Sequence, residues 1–126
     1  MDTRSKIVDW PAAAERLKRG VAAGGKVAVG YFDPLLAAHA RRLRKTAGSG
    51  KISVVVTSPP RPILEAEARA VLVAALECVE MVTTLPADRL QELFAIVPEQ
   101  AVESMQAGDA RLAEEFMRRV QSRAAS

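Results

Sequence analysis

Apolar positions along the chain change period several times, and each change marks an element. Trp10, Ala14, Leu17 and Val21 recur at helical spacing, with Asp9 placed to cap, Pro11 in the first turn and Gly24-Gly25 as a stop. Lys26 to Tyr31 then reads as a strand, and residues 35–47 as a helix ended by Gly48-Ser49-Gly50. Ile52 to Thr57 holds three consecutive valines, a run that implies burial on both faces of a parallel sheet. Ser58-Pro59-Pro60-Arg61-Pro62 is a stiff extended loop, because proline fixes φ and disfavours helix just before itself. Leu64, Ala68, Val71, Leu72, Ala75, Leu76 and Val79 predict an amphipathic helix.

A short strand over Met81 to Leu85 comes next, then a helix opened by Pro86 and carrying Leu90, Leu93, Phe94 and Val97. Ala101 to Met105 fits either a fourth strand or a simple connection. Asp109 is placed to cap a last helix with Leu112, Phe116 and Val120 on one face. Strands alternating with helices predict an α/β fold, a parallel sheet covered on both sides and joined by right-handed crossovers.

Composition narrows the setting. A chain of 126 residues makes one domain over 1–126 with a core of its own. No apolar run approaches the roughly 18 residues of a membrane span, and the first six residues lack an apolar signal segment. The single Cys78 fits a reducing compartment, so the expectation is a cytoplasmic protein. One His and one Cys in the whole chain offer no metal cluster. Net charge is +3, too mild to predict nucleic-acid binding, although Arg41, Arg42, Arg44 and Lys45 crowd one helix. That crowd suits either an anionic ligand or a solvated outer face.

The most informative stretch is Val27-Ala-Val-Gly30-Tyr31-Phe32-Asp33, followed by a helix start containing His39. A strand, a loop and a helix N-terminus in that order form a common phosphate site. The residues resemble the cytidylyltransferase-like nucleotidyltransferases, whose first strand ends G-x-F-D and whose next helix begins H-x-G-H. Gly30, Phe32, Asp33 and His39 fit; Leu36 stands for the first histidine and Ala38 for the glycine. Arg61-Pro62-Ile63 through Glu67 to Arg69 matches a second family run in register, and the likeness covers roughly residues 10 to 98. The nucleotidyltransferase domain of heptose-phosphate and glycerol-phosphate activating enzymes is the most similar type.

The resemblance implies a three-layer Rossmann-like sheet of strand order 3-2-1-4, with the site at the end of the first strand. It implies a nucleoside triphosphate, with magnesium if the protein is active, attacked at the α-phosphate by a phosphorylated acceptor. His39 would be the catalytic donor, unless it is an ordinary, partly exposed histidine. Gly30, Tyr31, Phe32, Asp33, Lys45, Thr57, Ser58, Arg61 and Arg69 would bind nucleotide or phosphate. Asp33 has two readings, a metal–triphosphate ligand or a cap on the next helix. Arg69 also has two, a phosphate contact or a pair with Glu65 or Glu67 on its own helix. Tyr31-Phe32-Asp33 looks exposed, with Phe32 itself read as core.

Leu36 has no hydrogen-bond donor in its side chain, and loss of one such donor costs about 10²–10³ in rate. The family's late S-[ST]-[ST]-x-x-R segment is not found in these 126 residues either. The expectation is therefore a catalytically degenerate domain that keeps nucleotide or phosphate binding. Two alternatives remain: an active nucleotidyltransferase working through His39 alone, and a non-catalytic regulatory module. A homodimer formed through an apolar edge or face is expected for the degenerate domain and the module alike.

Overall fold

A computed structural model describes residues 2–33 and 35–105. The helix expected from Asp109 onward lies outside the described residues. Elements run α1 (Trp10–Ala22), β1 (Val27–Gly30), α2 (Ala37–Ala47), β2 (Ile52–Val56), α3 (Ala66–Ala74), β3 (Val79–Thr84), α4 (Leu90–Ile96) and β4 (Val102–Ser104). The four strands form one sheet in the order β3-β2-β1-β4, and every pairing is parallel. The fold is the parallel α/β arrangement that the alternation predicts, Rossmann-like and with the strand order 3-2-1-4 that the resemblance implies. The open question over 101–105 resolves to a strand, because Val102–Ser104 pairs with Val27–Val29.

β1 is central and buried along its whole length. Its register with β2 runs from Val27↔Ser53 to Gly30↔Val56. Two apolar layers flank the sheet. One packs Phe32, Leu43, Val54, Val56, Ala70, Val73 and Val82 beneath α2 and α3. The other packs Ala13, Leu17, Val29, Val55, Met81 and Leu93 beneath α1 and α4. Strands covered on both faces account for the unbroken valines of β2. The turn from α1 into β1 demands glycine twice: Gly24 has φ 95°, and a Cβ on Gly25 would sit 2.8 Å from the carbonyl oxygen of Gly20.

One helix face differs from the sequence expectation. α3 buries Arg69, Ala70, Val73 and Ala74, while Ala68 and Ala75 are exposed and Leu72 is 43% exposed. α3 is apolar nearly all round, so two stripes competed, and the inner one is the stripe that contains an arginine. The expected open sheet edge is also partly covered. Ile7 makes a parallel bridge to Val82, Val8 donates its N–H to the Val82 carbonyl, and Lys6 Nζ donates to the Leu76 carbonyl at 3.0 Å. The N-terminal segment thus occupies the β3 edge that would otherwise be free to pair with another chain.

No helix among the described residues is long and apolar enough to cross a membrane.

Candidate functional site

Parallel strands deliver their C-terminal ends to one edge of the sheet, the usual place for a ligand in open α/β folds. Gly30 ends β1 there, and its carbonyl accepts the Thr57 N–H. The chain then turns sharply: Phe32 has φ 49°, a left-handed conformation that costs a side-chain-bearing residue about 1–2 kcal/mol. The fully buried Phe32 ring offsets that cost in the layer under α2 and α3. So Tyr31-Phe32-Asp33 is not the exposed loop that its sequence suggests. Tyr31 is half-buried, Phe32 is wholly buried and Asp33 is 3% exposed.

Asp33 fits neither of its expected roles. The helix that follows starts at Ala37 with Leu36 at its cap, so Asp33 does not cap it. Instead the carboxylate crosses to a loop thirty residues on. Oδ2 accepts the Ile63 N–H and Oδ1 the Leu64 N–H, both at 2.6 Å. Both oxygens are therefore engaged by the segment that leads into α3. Among the described residues no group of three His, Cys, Asp or Glu side chains could hold a metal ion. A magnesium ion does not fit at Asp33 as the side chain stands.

Arg69 fits neither of its expected roles either. It is the largest fully buried side chain of the described residues, at 0% exposure. Nε donates to the Leu64 carbonyl, Nη1 to the carbonyls of Tyr31 and Thr57, and Nη2 to Ser58 Oγ. One guanidinium thus ties the ends of β1 and β2 to the entry of α3. Burial pushes its pKa below the ordinary value, and the nearby Asp33 charge opposes that shift. A fork with donors in fixed directions suits this task, which lysine with one ammonium would not perform.

His39 lies in the first turn of α2, as expected, but is 2% exposed rather than partly exposed. Its Nδ1 accepts the Leu36 N–H at 2.9 Å, one half of a capping box formed from the third helical position. An accepting Nδ1 places the ring proton of the neutral imidazole on Nε2. The ring also meets Phe32 edge-on, with centroids 5.6 Å apart. His39→Ala removes a capping bond and a packed ring together. It is expected to cost about 1–3 kcal/mol of stability, read as a lower denaturation midpoint.

The remaining sequence candidates divide. Tyr31 and Ser58 line an open cleft of about 530 Å³, together with Pro59, Pro60, Thr84 and Asp88. Thr57 is buried beneath it, and its hydroxyl has no hydrogen-bond partner. Arg61 is exposed on the proline loop. Lys45 belongs elsewhere. It sits in the last turn of α2, about 9 Å along the axis from His39, towards the opposite edge of the sheet. Thr84 and Asp88 were missed by sequence reasoning, although any residue just after β3 must reach this edge in a parallel sheet.

No family model matches the chain. The Bifunctional protein HldE of Citrifermentans bemidjiense is 32% identical over 99 residues, which takes in 69% of this chain. The alignment covers 20% of that protein, so the chain spans about a fifth of the length of the curated relative it matches.

Proposed function

We infer that the chain is a nucleotidyltransferase-like domain in which transfer is reduced or absent and nucleotide or phosphate binding at the C-terminal edge of the sheet is retained. The observation that carries this reading is the state of His39. The residue that the family motif would aim at the α-phosphate is buried against Phe32 and gives Nδ1 to the Leu36 N–H. Position 36, where the motif has its other histidine, is a leucine.

Transfer of a nucleotidyl group builds negative charge on α-phosphate oxygens, and donors preorganised toward them supply most of the acceleration. One donor of the pair is missing here and the other is enclosed. Asp33 is likewise spent on backbone N–H groups, and Arg69 on backbone carbonyls and the Ser58 hydroxyl. The two motifs in register and the likeness to the Bifunctional protein HldE support the lineage. The strand order 3-2-1-4 agrees with it.

The test is direct. Purified protein given CTP or ATP, magnesium and polyol or sugar phosphates is expected to release pyrophosphate far below the enzyme median of about 10 s⁻¹. The same nucleotides are expected to raise its melting temperature. Turnover near that median would overturn the reduced-activity reading. Absence of any nucleotide-dependent shift would overturn the binding reading.

A further inference from the structure

Among the described residues, basic side chains line two grooves at the edge opposite the candidate site, where the strands begin. One groove there, of about 240 Å³, runs between the second half of α1 and the starts of β1 and β3. Arg16, Arg19 and Lys26 line it, with one acid, Glu80. A second groove of about 340 Å³ lies on the other side of the Gly25–Lys26 turn, toward the end of α2. It carries Lys26 again, together with Lys51. Both grooves include Gly25 and Lys26, so they meet at that turn as a two-part trough. Among the described residues none of these four cations makes an ion pair. The cleft at the C-terminal edge, in contrast, is lined by Asp88 and, among the described residues, by no lysine or arginine.

A helix C-terminus attracts cations by its dipole, and that is the ordinary reason for basic residues near one. It explains little here. The last carbonyls of α1 are already taken: Ala23, Gly24 and Gly25 donate their N–H groups to Arg19, Gly20 and Val21. Arg16, Lys26 and Lys51 do not belong to that last turn.

We propose that this trough is a second ligand site, for an oligophosphate such as inorganic triphosphate or the phosphate tail of a nucleoside polyphosphate. Four cations facing one acid match several linked negative charges. Among the described residues no aromatic side chain lines either groove to stack on a base, so the recognition argued here is ionic. A net charge of +3 over the whole chain is small for a protein that grips many phosphates of a nucleic-acid backbone.

Inorganic triphosphate, titrated without magnesium at low salt by calorimetry, tests the proposal. Lys26→Ala is expected to weaken binding about fivefold, the worth of one close charge pair in water. Arg19→Glu combined with Lys26→Glu is expected to abolish it with little change in melting temperature, since both side chains are exposed. Ala66→Asp, which places a negative charge in the cleft at the other edge, is expected to leave the affinity unchanged. The proposal fails if the double variant binds as the parent does, or if Ala66→Asp removes binding while Lys26→Ala does not. It also fails if a mixed-sequence single-stranded oligonucleotide binds far more tightly than triphosphate at equal phosphate concentration.

Discussion

Arg69→Met is expected to lower stability by about 3–5 kcal/mol, the largest effect of any single substitution near the candidate site. Methionine fills much of the same volume but has no donors. The carbonyls of Tyr31, Thr57 and Leu64 and the hydroxyl of Ser58 would lose their shared partner. An acceptor left dry in a protein interior costs about 1–3 kcal/mol, and these acceptors surround one buried point. Relaxation and water entry limit the sum. For a domain of this size the loss corresponds to a fall in melting temperature of about 10–20 °C. Arg69→Lys, which retains charge but not the fork, is expected to recover less than half. A melting temperature within a few degrees of the parent would show that Arg69 is not the tie that its contacts indicate.

This buried arginine marks where the sequence was legible and where it was not. The alternation of strands and helices and the start of α2 near His39 followed from period changes and punctuation, while the central place of β1 followed from the family resemblance. Those signals are local, and local signals specify elements well. The register of Phe32 and Asp33 against the rest of the fold is not local. Asp33 before Pro34 looks like a cap because sequence shows only its neighbours; its partners are Ile63 and Leu64, thirty residues on in the segment between β2 and α3. Arg69 was read against Glu65 and Glu67 for the same reason. A clue was present: Arg69 shares a helical stripe with Val73, and that stripe is the buried one. In a helix apolar almost all round, the single charge on the wrong side is the informative residue.

Motif matching had a related weakness. A motif reports that residue types recur at a spacing, not which atoms they hold. Gly30, Phe32, Asp33, Arg69 and His39 all stand near the end of β1 as the resemblance implies. Three of them, however, commit polar atoms to the protein itself: Asp33 both oxygens to the loop, Arg69 its guanidinium to the strand ends and the entry of α3, His39 its Nδ1 to the cap of α2. What stays open to solvent at that edge is Tyr31, Ser58 and the proline loop, together with Thr84 and Asp88. Lys45 shows the opposite failure. Counting residues from the motif placed it near the site, whereas the helix carries it away at about 1.5 Å per residue.

Asp33→Ala is the second large effect, expected at about 3 kcal/mol. The carboxylate accepts two backbone N–H groups at 2.6 Å, and hydrogen bonds to a charged acceptor contribute about 1.5–3 kcal/mol each. Ile63 is 45% exposed and Leu64 half-buried, so water replaces part of what is lost, which holds the total at the lower end of the about 3–6 kcal/mol that two such bonds would give. Asp33→Asn separates shape from charge. Its amide oxygen can keep one of the two bonds, but its NH₂ would face the other N–H, donor against donor, so about half the loss is expected to remain. Asp33 also supplies the negative charge that offsets the burial of Arg69. The two substitutions should therefore not add. In a double-mutant cycle, Asp33→Ala with Arg69→Met is expected to cost about 1 kcal/mol less than the sum of the singles, within the usual range for coupled neighbours. Additive losses in urea denaturation would mean that the loop pin and the strand-end tie work independently. In that case the end of β1 would not be held by the two acting as one unit.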